Sequence, residues 1–160
     1  MGAATDGGAA GLRRCWSHSD VLRKPAMKTI LCAVDESPGA AEAVAVAAGL
    51  SKHLGLRLVL AHVVDGYRRT DGVHAQQGGQ RLLERVARTH SLENAADRRA
   101  EIGDRASELS RIAGEEAAVL IVVGSRSQYR RRRSLLSGLS AELRSTAPCP
   151  VLIVPPSPRR

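Results

Sequence analysis

The sequence has almost no aromatic side chains. None of its 160 residues is Phe, and only Trp16, Tyr67 and Tyr129 are aromatic, although 43% of the chain is hydrophobic. Any core must therefore be built from Leu, Val, Ile and Ala. Proteins that hold single-stranded nucleic acid or unpaired RNA bases stack those bases on aromatic rings, so the composition excludes that class of site.

Cysteine and long apolar runs are also scarce. Cys15, Cys32 and Cys149 share no C-x-x-C spacing, which argues against a disulfide scaffold, a zinc site and dithiol redox chemistry. No apolar run approaches the roughly 20 residues of a membrane span. No apolar stretch follows Arg13-Arg14 to make a secretory or twin-arginine signal. We therefore expect a soluble cytoplasmic protein that does not bind membranes.

The charge is strongly positive and carried almost entirely by arginine. Lys and Arg number 24 against 16 Asp and Glu, for a net charge of +8, and only three of the basic residues are Lys. Residues 130–133 are four consecutive arginines. Such a run is usually a solvated loop, but it can also face phosphate groups. Without aromatic platforms, we do not expect nucleic acid to be the partner.

The chain divides into a tail, one domain and a short end. Residues 1–26 show no apolar period of 2 or 3.6 residues, which predicts a disordered or loosely attached N-terminal tail. Residues 27–155 carry the signals of a single α/β domain, and residues 156–160 form a C-terminal tail. Met27 is followed directly by a strand signal, so it is either the biological start or the end of a true extension.

Strand and helix signals alternate after Met27. Predicted strands cover residues 29–34, 56–64, 96–102 (a charged sheet edge), 119–123 and 151–154. Helices are predicted from Pro38 to the cap at Gly55, from Gln80, after Asp104 and over residues 134–145, with residues 66–79 as a polar loop. Strands separated by helices form parallel sheets, which bind ligands at the carboxyl ends of the strands. This argument selects Asp35, the Val63 region and the loop after Gly124.

Five segments together resemble the universal stress protein family over residues 27–155. They are residues 30–38 (ILCAVDESP), 60–65 (LAHVVD), 103–104 (GD), 120–126 (LIVVGSR) and 147–154 (APCPVLIV). The resemblance implies a Rossmann-like, open, parallel five-stranded sheet of order 3-2-1-4-5, sandwiched by four helices. It also implies cytoplasmic homodimers that meet through the last strand, formed by Val151, Leu152, Ile153 and Val154.

One branch of this family binds ATP through the motif G-x-x-G, nine residues, then G-[S/T]. Gly124 matches the first glycine, Ser127 and Ser137 replace the next two, and Gly138 replaces the final Ser or Thr. Glycines there give positive φ and let backbone N–H groups approach phosphate. The resemblance implies an adenine-nucleotide site at Ala33, Val34, Asp35, Val63, Val123, Gly124, Arg126, Ser127, Ser137, Gly138, Leu139 and Ser140. We expect it to bind ATP weakly.

Other candidate residues have ordinary structural roles as alternatives. Asp35 either contacts the ligand or caps the next helix, for which Ser37 is already suited. We interpret His62 as a satisfied core histidine and Cys149 as part of a rigid turn. No set of residues supplies a base, a nucleophile or a metal cage, so we predict a regulatory or sensing protein and not an enzyme, with slow ATP hydrolysis left open. The alternatives are a homodimeric interaction protein of the same fold that binds no nucleotide, and a nucleic-acid-associated protein.

Overall fold

The computed structural model describes residues 27–66, 72–125 and 138–157. Within them lie the strands β1 (Thr29–Ala33), β2 (Arg57–Asp65), β3 (Ala96–Gly103), β4 (Ala118–Gly124) and β5 (Val151–Val154). The helices are α1 (Pro38–Leu54), α2 (Gly72–Thr89), α3 (Arg105–Glu115) and α4 (Leu139–Thr146). The predicted N-terminal tail, the arginine run 130–133 and the predicted site residues Arg126, Ser127 and Ser137 lie outside the described residues.

The strands form one parallel sheet in the order β3-β2-β1-β4-β5, which confirms the predicted fold. At its centre, Ile30 of β1 pairs with Leu58 of β2 and Leu120 of β4. Helices cover both faces, which explains why the central strands are nearly continuous apolar runs. The carboxyl ends of the strands meet at one edge of the sheet, and the strand order reverses between β1 and β4.

Apolar side chains form a packed layer on each face of the sheet. Alternate residues of a strand point to opposite faces, so Ile30 and Cys32 of β1 pack beneath α1 and α2, while Leu31 packs beneath α3 and α4. The helices contribute mainly small or aliphatic side chains, such as Ala47 of α1 and Ile112 of α3. Both layers are therefore built from aliphatic residues, as the composition predicts.

Two predicted helix ends are confirmed, and a third has the predicted N-cap residue without its capping bond. Gly55 closes α1 in the left-handed conformation at φ 64°, with its N–H bonded to Ser51. Asp104 accepts a hydrogen bond from the Ser107 N–H at 2.9 Å, and hydrogen bonding from Ser107 lowers the pKa of this carboxyl. At the start of α1, however, the Ser37 side chain makes no capping bond.

Helix α2 begins at Gly72, eight residues before the predicted start at Gln80, so the predicted polar loop over residues 72–79 is wrong. Glycine disfavours helix by about 1 kcal/mol relative to alanine, but tertiary contacts overcome that cost. Ala75 is buried, and the Gln76 side-chain amide donates to the Ala100 carbonyl at 3.1 Å. Gly79 packs so closely that a Cβ would lie 3.0 Å from Cδ2 of His62.

The last predicted helix also differs at its start. Residues 134–137 of that prediction lie outside the described residues, and α4 begins at Leu139. Gly138 is its N-cap, with φ 76° and ψ −139°. A residue with that backbone conformation cannot belong to the helix, so the predicted helical state of Gly138 is wrong.

The exposed edge strand β3 is tied to α3 by a network of ion pairs. Arg99 contacts Glu101, Glu115 and Glu116 at 3.0, 3.1 and 2.9 Å. Arg111 also bonds Glu115, and its hydrogen bond, followed by that of Arg99, lowers the pKa of the Glu115 carboxyl. The charged pattern that predicted an edge strand thus has a structural use, because the network joins the strand to its covering helix.

We expect Arg99→Gln to destabilise the protein by about 1 kcal/mol at low salt, and by less at about 1 M salt. Glu115 has a lower pKa in the folded state. Its contribution is therefore present above its unfolded pKa of about 4.3 and is lost as the pH falls through the folded value. The difference between variant and native protein should shrink over that acidic range in urea unfolding.

The matched control is Arg98→Gln on the same strand, because Arg98 donates to the Glu93 backbone carbonyl and has no ion pair among the described residues. An Arg99 variant whose stability differs from native by a constant amount at every pH and salt concentration would contradict the electrostatic role.

Candidate functional site

A small cavity opens at the carboxyl edge of the sheet, where the strand order reverses. We call it the switch-point cavity. It is lined by Ala33, Val34, Asp35, Ala61, Val63, Arg105, Leu109, Val123, Gly124 and Leu139. Seven of these are residues that the sequence predicts for the site, brought together from β1 and the turn after it, β2, β4 and α4. The cavity measures about 30 Å³, enough for a water molecule.

Two other predicted site residues lie next to this cavity without lining it. Gly138 and Ser140 flank Leu139 at the start of α4, beside the cavity wall. Arg126, Ser127 and Ser137 belong to the part of the chain that the structure does not describe, so their place in the site stays a prediction.

Asp35 shapes the turn before α1 and forms a wall of the cavity. Its Oδ1 accepts a hydrogen bond from the N–H of Ser37, the N-cap residue, at 2.9 Å, which closes an Asx turn. The adjacent Val34 N–H donates to the Ala61 carbonyl at 2.8 Å and extends the pairing of β1 with β2 to the cavity edge. Asp35 therefore holds the turn that leads from β1 into α1 and lines the cavity, and its contact with a ligand stays a prediction.

Gly124 is required by close packing and not by an unusual backbone conformation. A Cβ at Gly124 would overlap the Gly39 carbonyl and lie 2.6 Å from the Ala40 nitrogen. Reciprocally, a Cβ at Gly39 would overlap the Ser125 carbonyl. The positive φ expected at the first glycine of the motif is absent from Gly124. The first turn of α1 therefore rests directly on the end of β4, with no room for a side chain.

The motif places its last glycine at position 137, but positive φ is found at the next residue, Gly138. With φ 76° and open space around it, position 138 favours glycine because of its backbone conformation alone. Gly138→Ser would therefore add strain, so the replacement of Ser or Thr by Gly at this position is not simply the loss of a hydroxyl. The residues after it, Leu139 and Ser140, begin α4, where the first N–H groups of a helix lack intrahelical acceptors.

Three residues of the cavity are absent from the sequence prediction. Ala61 pairs with Ala33 across β1 and β2, and it precedes Val63 by two residues on the same face. Arg105 follows the capping Asp104, and a helix that follows a parallel strand starts at the carboxyl edge of the sheet. These signals were readable in the sequence, whereas the position of Leu109 depends on how α3 lies on the sheet.

The other titratable candidates, His62 and the cysteines, have structural roles. Nδ1 of His62 lies 2.7 Å from the Val34 carbonyl and donates to it, as expected for a satisfied histidine. Burial raises the pKa of the Cys32 thiol to about 12 and also raises that of Cys149, so both disfavour the thiolate. Within the described ranges, no group of three or more His, Cys, Asp or Glu could hold a metal ion.

No helix in the described part of the chain has the length and apolar character needed to cross a membrane.

A family model described as the universal stress protein family matches residues 27–155. The chain belongs to this family. Among solved structures, a family member from Burkholderia pseudomallei is 30% identical, with 84% of this chain and 99% of that one covered and a TM-score of 0.62. No curated protein matched the chain.

Two more distant members of the universal stress protein family were solved with nucleotides. One, in complex with cAMP, is 20% identical over 82% of this chain and 99% of its own, with a TM-score of 0.64. The other, from Archaeoglobus fulgidus in complex with dAMP, is 20% identical over 81% of this chain and 98% of its own, with a TM-score of 0.60. At this identity the likeness establishes the shared fold.

We expect Gly124→Ala to destabilise the protein by about 1–3 kcal/mol, because the added methyl group overlaps the first turn of α1. Gly49→Ala is the matched control. A Cβ at Gly49 would have no neighbour within 4 Å, and alanine in a helix should stabilise by up to about 1 kcal/mol. Urea unfolding measures both, and equal stability of native and Gly124→Ala protein would contradict the packing argument.

Proposed function

We propose that the protein is a regulatory or sensing member of the universal stress protein family that binds ATP weakly at the switch-point cavity. One observation carries this proposal: seven predicted site residues from four separate elements line a single cavity where the strand order reverses. The relatives solved with cAMP and dAMP support adenine nucleotides as the ligand class.

The walls of the switch-point cavity have side chains suited to an adenine base, but the cavity is too small to hold one. Ala33, Val63 and Val123 offer apolar surface, and the Asp35 carboxylate can accept a hydrogen bond from an exocyclic amino group. A purine needs more space than about 30 Å³, so the side chains of Arg105 and Leu139 must move aside. Rearrangement on binding reduces affinity, which is one reason to expect weak binding.

The start of α4 is the proposed contact for phosphate groups. The first N–H groups of the helix, at Leu139 and Ser140, are donors without helical acceptors, and the helix dipole favours negative charge there. In the sequence, Arg126 and the run 130–133 precede this point and would add attraction that salt screens. Ser127 and Ser137 remove two glycines of the ATP motif and work in the opposite direction.

We propose sensing and not turnover as the use of this nucleotide. The imidazole of His62 is held by the Val34 carbonyl, and both described cysteines have raised thiol pKa values. Slow hydrolysis of bound ATP remains open in this proposal. We also retain the expectation of a cytoplasmic protein, which the family resemblance implies.

We further propose a homodimer formed through β5, at the edge of the sheet. Its residues Val151, Leu152, Ile153 and Val154 carry no charge, and Leu152 is 36% exposed. An uncharged edge strand offers unpaired backbone groups and apolar side chains to a second copy. The same surface supports the alternative function, a homodimeric interaction protein that binds no nucleotide.

We expect Asp35→Ala to weaken ATP binding by about tenfold, the value of one charge-assisted hydrogen bond. Asp104→Ala is the matched control, since Asp104 also accepts a backbone N–H bond at a helix start but does not line the cavity. Both variants lose one such bond, and only the first should lose ATP affinity in titration calorimetry. If the unmodified protein binds no ATP at low salt, the nucleotide proposal is wrong.

We expect Leu152→Lys to convert the dimer to a monomer, because a charge would be buried at the proposed interface. Ile102→Lys is the control on the opposite edge strand, where Ile102 is 37% exposed. Light scattering separates the two, and a monomeric unmodified protein would rule out the dimer.

A further inference from the structure

The side chain of Arg105 lies at the mouth of the switch-point cavity, over the carboxyl end of β2. Arg105 belongs to α3, and it lines that cavity together with Leu109, one helical turn further along. It also lines a second cavity of about 720 Å³ on the other face of the sheet, between α2 and the ends of β1 and β2, which we call the α2 cavity. A side chain that reaches both faces must extend across the end of the strand between them.

No described partner holds the Arg105 side chain in this place. It is half-buried, yet it has no ion pair or hydrogen bond within the described residues. Arg57, Arg99 and Arg111, by contrast, are each paired with carboxylates. Glu108, three residues after Arg105 on α3, pairs with Arg111. The Arg105 side chain can therefore change its conformation without breaking a described polar contact.

The start of α3 is also an unfavourable position for a positive charge. Arg105 is the first residue of the helix and follows the N-cap Asp104. The N-terminal end of a helix carries partial positive charge, so a cation there is destabilising. Local costs of this kind are typical of functional sites. An unpaired guanidinium at a cavity mouth, in a position that the helix disfavours, points to a role in binding.

The switch-point cavity has balanced charge and two apolar walls. Asp35 and Arg105 are the only charged residues among the described ones that line it, so it favours neither an anion nor a cation. One wall belongs to the strands, and the facing wall belongs to α3 and α4. The strand wall contains Ala33, Ala61, Val63 and Val123, and the helix wall contains Arg105, Leu109 and Leu139. A flat, uncharged group suits the space between these two layers.

Arginine can cover a flat aromatic group by stacking. The guanidinium group is planar and delocalised, and its face stacks on aromatic rings, including nucleobases. All three aromatic residues of the chain, Trp16, Tyr67 and Tyr129, lie outside the described residues. Among the described residues that line the switch-point cavity, Arg105 is therefore the side chain that can stack on a base.

We propose that Arg105 is a specificity-determining residue of the switch-point cavity, which folds over the adenine base and stacks its guanidinium plane on it. The base lies between Arg105 and the apolar strand wall, and the phosphate groups extend towards the start of α4. The outward movement of Arg105 that admits the base also brings its guanidinium group over the ring. This inference rests on the proposed nucleotide function and adds the residue that selects a planar base.

The first experiment is an NMR titration with adenosine, which has the base without phosphate, and with ribose 5-phosphate, which has phosphate without the base. We expect the ring current of a stacked adenine to move the δ-CH₂ protons of Arg105 and the methyl protons of Val63 upfield. Ribose 5-phosphate should leave the Arg105 protons unshifted. If adenosine moves neither signal, the nucleotide proposal fails together with this inference. If adenosine moves the Val63 signal alone, only the inference about Arg105 is wrong.

The second experiment measures the affinity of variants for adenosine and ATP. Arg105→Lys keeps the charge and loses the plane, so it should weaken the binding of both ligands about tenfold. Arg88→Lys is the matched control, because Arg88 is exposed on α2 and lines neither cavity. Arg105→Trp keeps a stacking plane and loses the charge, so it should bind adenosine more tightly than Arg105→Lys does.

A contact between Arg105 and phosphate gives the opposite pattern. Lysine binds phosphate as a point charge, so Arg105→Lys would then keep ATP affinity, whereas Arg105→Trp would lose ATP affinity and leave adenosine binding unchanged. That pattern would overturn the inference. Native adenosine affinity in Arg105→Lys, or adenosine binding by Arg105→Trp that is no better than that of Arg105→Lys, would also overturn it.

Discussion

The contact between the first turn of α1 and the end of β4 is the constraint on which the site depends. Gly39 and Gly124 bring the two backbones together at a distance that no side chain allows. This contact sets where α1 begins relative to the sheet, and therefore where Asp35 and Ser37 are held. The switch-point cavity uses both sides of this contact, Asp35 before α1 and Gly124 at the end of β4. A single methyl group at either glycine would displace a wall of the site.

Because successive side chains of a strand point to opposite faces, neighbouring residues of β2 lie on opposite sides of the sheet. Ala61 and Val63 face α3 and α4, whereas His62 and Val64 face α2. His62 also joins β2 to β1 through the Val34 carbonyl, and its bulk is accommodated because Gly79 has no side chain. One stretch of strand therefore supports an apolar pocket on one face and a polar, charged cavity on the other.

Much of the fold could be predicted from the sequence because its signals are local. Local signals include the apolar run at 29–34, the C-cap at Gly55 and the N-cap at Asp104, each of which acts through adjacent residues. Strands that are connected by helices form a parallel sheet, so the sheet type also follows from local signals. The edge position of β3 was readable from its charges. The ends of the strands selected Asp35, the Val63 region and the loop after Gly124, whereas the full set of site residues came from the family resemblance.

The start of α2 was not readable, because helix propensity disfavours its glycines and the close packing of Gly79 against β2 and β3 is a tertiary contact. Tertiary structure alone decided that Gly124 is needed for packing against the first turn of α1, and that Leu109 of α3 lines the switch-point cavity. Each of these depends on distances between segments far apart in the chain, and a pattern of nearby residues contains no such distances.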